Sequence, residues 1–226
     1  MGSGKLSELQ ICVLEVLAGI EPEWTLAGGG ALVGFHLHHR TTRDLDLFWR
    51  GRGGLDPQLR HEVDRRLRSV GLESEVVQVT PTLLRLRVIS ADETLVLDLL
   101  ADPSPALEEP GEEVLGESRV RVDGPHEILV DKLCALLGRS ELRDLLDVQG
   151  ILESGGDLAR ALADAPERDS GFSPLTLAWV LRGMPLTEMA AAVGWTEKQM
   201  RGLDRFRENL VDRLTRAADP DAEHEA

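Results

Sequence analysis

Three consecutive glycines, Gly28 to Gly30, and two aspartates one residue apart, Asp44 and Asp46, have the clearest potential for chemistry in this chain. Glycine lets backbone N–H groups approach a phosphate closely. The pattern around the aspartates predicts a strand over residues 44–49, and because side chains alternate along a strand, both carboxylates point to one face. We therefore expect a phosphate-binding turn next to a strand face that can hold a metal ion.

A third carboxylate, Asp98, lies within an apolar run that predicts a strand over residues 94–99. Burying an unpaired carboxylate is costly, and a neighbouring metal ion removes that cost. Two-metal phosphoryl-transfer sites hold Mg²⁺ ions about 3.5–4 Å apart with two or three carboxylates. We expect Asp44, Asp46 and Asp98 to bind Mg²⁺ or Mn²⁺, with Asp98 as third ligand or general base. The structural alternative is a solvent-exposed aspartate pair after a tight glycine turn.

Four charged residues further along the chain form a second group: Lys132, Arg139, Asp144 and Asp147. Lys132 and Arg139 share a helix face if the helix continues through Gly138, and the two aspartates, three residues apart, also share a face. Because Lys132 stands in an otherwise apolar helix, it needs an anionic partner. That partner is either an acidic side chain in a salt-bridge network with no catalytic role, or an anionic substrate.

The whole chain of 226 residues is strongly acidic, with a formal net charge of −15. Proteins that bind nucleic acid extensively usually carry a basic field, so this charge argues against extensive duplex binding while leaving room for a local patch. The densest basic run lies on a helix predicted over residues 56–70: Arg60, Arg65, Arg66 and Arg68. Residues 184–195 resemble a helix-turn-helix, yet the acidic surroundings favour ordinary helix packing.

Two further features concern the compartment. Cys12 and Cys134 lie in apolar helical patterns without a spacing partner, so we expect buried free thiols rather than a disulfide or metal pair. No segment is apolar for long enough to cross a membrane, and no signal-peptide pattern is found at the start. We therefore expect a cytoplasmic protein with no membrane partner.

The periodicity of apolar residues predicts strands mainly in the first half of the chain and helices in the second. Predicted helices cover residues 5–20, 31–39, 56–70, 128–137, 142–152, 158–165, 175–181, 189–193 and 198–217, and predicted strands cover 24–27, 44–49, 75–79, 83–89 and 94–99. Residues 101–116 are rich in Pro, Glu and Gly, which predicts a long connection. We expect an α/β core over 1–124, a helical domain over 125–218 and a disordered tail over 219–226.

The order of four motifs resembles that of a known family. The motifs are G-G-x-A-L, H-R-x-x-x-D-L-D-L-F, V-L-D-L-L and K-L-x-A-L-x-x-R-x-x-x-R-D-L-x-D. Together they resemble the AbiEii/AbiGii-type nucleotidyltransferase toxins of bacterial type IV toxin–antitoxin systems, including the MenT-like enzymes. The resemblance covers residues 27–152 by motif, and the helical remainder agrees in type. The chain departs from the family at Gly30, where Thr or Ser usually follows the two glycines.

The resemblance implies an α+β fold, with a nucleotidyltransferase-like mixed sheet flanked by helices and an all-helical C-terminal part. It also implies an NTP substrate, RNA such as a tRNA acceptor end as the acceptor, and a cognate antitoxin. Asp44 and Asp46 would hold Mg²⁺, Lys132 would neutralise the triphosphate, and Asp144 or Asp147 would be a late essential acid. The nucleotide-binding set would comprise Gly28, Gly29, Gly30, Arg40, Thr42, Lys132 and Arg139.

In the reaction expected from these assignments, the acceptor hydroxyl is deprotonated with help from Asp98 and the metal and attacks the α-phosphate of the NTP in line, releasing pyrophosphate. Two alternatives stay open. A small-molecule nucleotidyltransferase of the antibiotic-modifying kind shares the glycine and D-x-D core, and an acidic cleft would suit a cationic aminoglycoside. A catalytically silent binding protein could keep only the fold, although intact carboxylates at all three positions argue against it.

Overall fold

The computed structural model describes residues 6–37 and 40–218. The chain divides into two compact units, the first ending at Ile128 and the second beginning at Leu129. Residues 1–5, 38–39 and 219–226 lie outside the described residues; they include parts of the first two predicted helices and the whole predicted tail. In the described part of the chain, no helix combines the length and the apolar character needed to cross a membrane.

The first unit contains helices and all of the strands given below, and the elements of the second unit are helical. The helices are α1 (Glu8–Leu17), α2 (Gly28–Ala31), which continues as a π-helical turn (Leu32–His36), α3 (Leu59–Ser69), α4 (Pro125–Gly138), α5 (Leu142–Glu153), α6 (Leu158–Arg168), α7 (Pro174–Gly183), α8 (Leu186–Ala192) and α9 (Glu197–Ala217). The strands are β1 (Thr25–Ala27), β2 (Asp44–Arg50), β3 (Glu73–Val79), β4 (Leu83–Ile89), β5 (Thr94–Asp102), β6 (Gly111–Leu115) and β7 (Ser118–Val122). The boundary between the two units falls inside α4.

The strands of the first unit form one mixed sheet in the order β3-β4-β5-β2-β1-β7-β6. β2 runs parallel to β5, and β1 runs parallel to β7. The other neighbouring pairs are antiparallel. Helices α1 and α3 pack against strands of this sheet and against each other. The predicted mixed sheet with flanking helices is therefore confirmed.

Alternation along the central strands separates an apolar face from a polar face. Leu45 and Leu47 on β2 and Leu97 on β5 are fully buried on the apolar face. The carboxylates Asp44 and Asp46 alternate with those leucines, so they lie on the opposite face. The hydrophobic burial of one face thus fixes which side of the sheet carries the charged residues.

The prediction of a long connection over residues 101–116 was wrong, because β6 occupies Gly111–Leu115 within it. β6 pairs antiparallel with β7, and the turn between them contains Gly116 at a φ of +56°, a left-handed conformation that glycine adopts without strain. Most of β6 is exposed at the edge of the sheet, and its two glutamates replace the apolar alternation that would have indicated a strand.

The start of the basic helix also differs from the sequence prediction. The sequence predicted a helix that begins at residue 56. Oδ1 of Asp56 instead accepts a hydrogen bond of 2.7 Å from the backbone N–H of Gln58, which forms a turn, and α3 begins at Leu59. Gly71 follows the helix at a φ of +81°, the left-handed conformation in which glycine commonly ends a helix.

In the second unit, capping residues determine where helices begin, and apolar stripes determine which side of each helix is buried. The longest, α9, packs against α5, α7 and α8. Its buried stripe consists of Leu203, Leu210, Val211 and Leu214. Thr196 caps its start, because the side chain of Thr196 accepts from the Gln199 N–H while the Gln199 side chain accepts from the Thr196 N–H.

The separation of the two sheet faces predicts a difference between adjacent residues of β5. Leu97→Ala removes a fully buried side chain and should lower the free energy of unfolding by about 3 kcal/mol. Val96→Ala, at a neighbouring residue that is 38 % exposed, should cost under about 1 kcal/mol. Urea denaturation of both variants measures the difference, and equal losses would contradict the assigned strand faces.

Candidate active site

The glycine turn and the second aspartate are held directly against each other. Gly28 has a φ of +56°, and a Cβ at this residue would lie 2.8 Å from Oδ2 of Asp46. Real Cβ atoms almost never come that close, so a side chain here would force the Asp46 carboxylate to move, and the left-handed backbone angle itself favours glycine. The pairing of β1 with β2 fixes the arrangement, because it sets Ala27 opposite Asp46.

The second glycine faces the loop that leads into β2. A Cβ on Gly29 would lie 2.7 Å from Nη2 of Arg40 and 3.4 Å from Oγ1 of Thr42. The hydroxyl of Thr42 in turn donates a hydrogen bond to Oδ1 of Asp44. Arg40, Thr42 and Asp44, all predicted as site residues, therefore lie beside the glycine turn.

The third glycine has a different surrounding. A Cβ on Gly30 would point into the apolar layer, 3.1 Å from methyl carbons of both Leu26 and Leu45. This residue could therefore reach a phosphate only through its backbone N–H. The glycines themselves form the first turn of α2, and its N-cap residue, Ala27, makes no side-chain hydrogen bond to that turn. N–H groups at the start of a helix are suited to an anion.

Strand register lines up three charged residues across the polar face. Asp46 on β2 lies opposite Asp98 on β5, and Asp98 lies opposite Arg85 on β4. Neighbouring strands are about 4.8 Å apart, so the three side chains occupy adjacent places on the sheet. The predicted association of Asp98 with the aspartates of β2 is thus supported by backbone pairing, not only by residue type.

Arg85 is a site residue that the sequence reasoning missed. Its Nε and Nη2 donate to the two oxygens of Asp98 at 2.7 and 2.5 Å, a bidentate pair. Hydrogen bonding to Asp98 raises the pKa of Arg85 above its usual value, and the charges of Asp46 and Asp44 add to the effect. Arg85 therefore supplies positive charge to all three predicted metal ligands.

The pairing with Arg85 corrects one step of the sequence argument. Asp98 was expected to need a metal ion to offset its burial, and it is only 6 % exposed. The bidentate Arg85 already provides that compensation, so burial alone does not argue for a metal at Asp98. Over the described residues, no group of three or more His, Cys, Asp or Glu side chains is arranged as a ready metal cluster.

The second predicted group assembles within the second unit. Lys132 Nζ lies 2.7 Å from Oδ1 of Asp144 and 2.9 Å from Oδ2 of Asp147. Arg139, just beyond the end of α4 at Gly138, donates to both oxygens of Asp144 at 2.8 and 2.9 Å. Both aspartates are fully buried. The four residues therefore form the salt-bridge network that was one of the two interpretations of this pattern.

Charge balance keeps this network ionised. Burial would lower the pKa of Lys132, but the adjacent charges of Asp147 and Asp144 outweigh it and raise that pKa above its usual value. Burial would likewise raise the pKa of Asp144, but hydrogen bonding from Arg139 and the charge of Lys132 hold it below its usual range. Each buried charge thus depends on its partners.

Comparison with protein families identifies one match. The model of the family described as "Nucleotidyl transferase AbiEii toxin, Type IV TA system" matches residues 13–218. That range contains the glycine turn, the three aspartates of the sheet and the buried network. A comparison with curated proteins finds no match.

Solved structures with a similar fold are distant in sequence. MenT4, a nucleotidyltransferase toxin of Mycobacterium tuberculosis H37Rv, is 17 % identical with a TM-score of 0.63, covering 96 % of this chain and 87 % of its own. JHP933 of Helicobacter pylori is 20 % identical with a TM-score of 0.54, covering 93 % and 95 % of the two chains. At this level of identity, the comparison establishes a shared fold.

The network predicts a large cost for removing its central cation. Lys132→Met leaves two buried carboxylates without their shared partner and should lower the free energy of unfolding by about 3–5 kcal/mol. Arg143→Met, which breaks an ion pair between two side chains that are each about 40 % exposed, should cost under about 1 kcal/mol. Urea denaturation compares them, and a small loss for Lys132→Met would show that the network is not structural.

The pKa of Asp144 predicts a pH-dependent contribution to stability. Because this pKa is lowered in the folded protein, the contribution is present above the usual value near 3.8 and is lost as the pH falls through the folded value. The stability difference between the protein and Asp144→Asn should therefore be larger at about pH 7 than at about pH 3. Denaturant unfolding at both pH values measures this, and a constant difference would contradict the ionised state of Asp144.

Proposed function

This chain belongs to the AbiEii nucleotidyltransferase toxin family and is a nucleotidyltransferase, and on that premise we propose that it transfers NMP from an NTP to a hydroxyl of RNA in a Mg²⁺-dependent reaction. A tRNA acceptor end is the RNA that the resemblance implies. NTP and RNA are both cytoplasmic substrates, so the proposed location is the cytoplasm. Because the family is that of type IV toxin–antitoxin systems, a cognate antitoxin is part of the proposal.

The observation that carries the proposal is the approach of the glycine turn to Asp46. The turn offers backbone N–H groups to phosphate, and a Cβ at Gly28 would lie only 2.8 Å from Oδ2 of Asp46. Phosphate-binding and cation-binding groups therefore share one small region. Thr42 orients Asp44 beside it through a hydrogen bond.

The donor set in this region suits Mg²⁺, which prefers carboxylate oxygens. Asp44 and Asp46 would hold the ion, with Asp98 as a third ligand or as the base. When bound, Mg²⁺ would neutralise charge on the triphosphate and lower the pKa of the attacking hydroxyl. Lys132 and Arg139 are proposed to bind the triphosphate, although the ion pairs of Lys132 with Asp144 and Asp147 already account for its burial without a nucleotide.

The chain's own residues then have separate tasks in the transfer. The turn binds the phosphates through N–H groups, and Arg40 beside Gly29 adds positive charge. Asp98 takes the proton of the acceptor hydroxyl, whose oxygen forms a bond to the α-phosphorus while the bond to pyrophosphate breaks. Arg85 positions Asp98, and because its side chain is 40 % exposed it has room to move away as Asp98 accepts the proton.

The acceptor is the part of the proposal with a competing candidate. The basic run on α3 is largely neutralised, because Arg65 and Arg66 pair with Glu62 and Arg68 pairs with Asp64. Exposed pairs of this kind are weak, so phosphates can displace them, but they reduce the local positive field. Together with a net charge of −15, this observation favours a small cationic acceptor as the second candidate.

One experiment tests both the reaction and the acceptor. The protein is incubated with each α-labelled NTP, Mg²⁺ and either total RNA or a panel of aminoglycosides, and the product carrying the label is identified. We expect label on RNA. Label on an aminoglycoside would replace the RNA assignment by the second candidate, and no transfer to any acceptor would overturn the proposed reaction.

The carboxylates of β2 give a sharper prediction. Asp46→Asn keeps the side-chain shape and removes the charge, so transfer should fall by about a thousandfold, equivalent to several kcal/mol of lost transition-state stabilisation. The melting temperature should change little because Asp46 is only half-buried. Asp92→Asn, in the exposed turn between β4 and β5, serves as the matched control and should retain full activity. Full activity in Asp46→Asn would rule out the cation-binding assignment.

A further inference from the structure

Helix α1 buries a polar side chain among apolar ones. Gln10 is 1 % exposed and lies in the same buried stripe as Leu9, Val13 and Leu14. Burying a side-chain amide is unfavourable unless its donor and acceptor groups find partners, and a leucine at this residue would carry no such cost. The residue type therefore indicates a task other than filling the core.

The amide of Gln10 binds two backbone groups that lie far apart in the sequence. Its Oε1 accepts a hydrogen bond of 2.9 Å from the backbone N–H of Ser7, and its Nε2 donates one of 3.2 Å to the carbonyl oxygen of Thr42. Because a backbone N–H only donates and a carbonyl only accepts, these partners fix which end of the amide faces which. One side chain thus caps the start of α1 and fastens the loop before β2 to that helix.

The fastened loop, residues 40–43, is the one that brings Thr42 to the candidate active site. Thr42 lies beside Gly29, and its hydroxyl donates to Oδ1 of Asp44. The carbonyl that Gln10 binds and the hydroxyl that Asp44 binds belong to the same residue, so a shift of the Thr42 backbone also shifts its hydroxyl. A chain of hydrogen bonds therefore runs from α1 through Gln10 and Thr42 to Asp44.

The residue two positions before α1 contacts the other segment that borders the site. A Cβ on Gly34, in the π-helical turn that continues α2, would lie 2.9 Å from both Cγ and Cδ1 of Leu6. Glycine lets the Leu6 side chain pack directly onto that backbone. The start of α1 therefore contacts both the turn that follows the three glycines and the loop that precedes β2.

We propose that Gln10 is a positioning residue for the cation site: it holds Thr42 in place, so that the Thr42 hydroxyl fixes the orientation of Asp44. The inference rests on the proposed function, because it takes Asp44 as a ligand of Mg²⁺. Changing a group that hydrogen-bonds to a metal ligand typically alters metal affinity or activity by about 10- to 100-fold. Gln10 acts one step further from the ion, so we expect an effect at the lower end of that range.

Binding of Mn²⁺ to the full-length protein tests this role separately from catalysis. Electron paramagnetic resonance measures the free ion, and Asp46→Asn shows which part of the binding belongs to this site. Gln10→Met keeps the length of the side chain and removes both hydrogen bonds, so the Kd for Mn²⁺ should rise about tenfold. The matched control, Leu17→Ala, removes a buried side chain from the same helix about 10 Å further along its axis and should change the Kd less than about twofold.

Two further measurements separate positioning from folding. Thr42→Val should itself raise the Kd about tenfold, and Gln10→Met added to it should cost less than about twofold more, because the hydroxyl through which Gln10 acts is already gone. In the transfer reaction, Gln10→Met should need about tenfold more Mg²⁺ but approach the unmodified rate at saturating Mg²⁺, since it removes no group that touches substrate. Gln10→Asn, whose amide is one methylene too short to bridge Ser7 and Thr42, is the second variant if Gln10→Met does not fold, and it should raise the Kd at least about threefold.

The outcomes distinguish failure of this inference from failure of the proposed function. If the unmodified protein binds Mn²⁺ and the Gln10 variants bind it equally well, or if Leu17→Ala weakens binding as much as they do, the role of Gln10 is overturned and the cation site remains. If the unmodified protein binds no Mn²⁺, the cation assignment of the proposed function is overturned, and the role of Gln10 with it.

Discussion

The pairing of β2 between β1 and β5 is the constraint on which the first unit's site depends. Through β1 it brings the glycine turn against Asp46, and through β5 it brings Asp98 into the same row. A slip of one residue would send the aspartates to the apolar face, where leucines fill the space. The leucines between the aspartates therefore do more than fill a core: their burial keeps the carboxylates on the polar face of the sheet, beside the glycine turn.

Asp98 and the network around Lys132 are buried by different means. Asp98 meets an arginine whose side chain is 40 % exposed, so its partner can move without breaking the core. Lys132 and the two aspartates around it are nearly sealed, with their charges balanced inside the second unit. The first arrangement suits a group whose protonation or partner changes during a reaction. The second is typical of a group whose removal mainly costs stability.

Much of this was accessible from sequence because local rules governed it. The alternation around Asp44 and Asp46 correctly indicated a shared face, and a helical spacing of three residues indicated that Asp144 and Asp147 act together. Arg85 was missed because it becomes a site residue only through pairing between strands. Counting outward from the turn between Ile89 and Thr94 would have set it opposite Asp98. The β6 strand was hidden for another reason: its exposed edge position removes the apolar alternation on which strand prediction relies.

The placement of lysine has a practical consequence for chemistry on the intact protein. The chain contains three lysines against 22 arginines, and two of those lysines lie in the described residues. The amine of Lys132 is enclosed by carboxylates and held protonated, whereas that of Lys198 extends from the exposed side of α9. Amine-directed reagents need an accessible, unprotonated nitrogen, so within the described region a fluorophore or crosslinker would attach at Lys198. Of the two lysines in the described residues, the fold thus leaves one open to such a reagent.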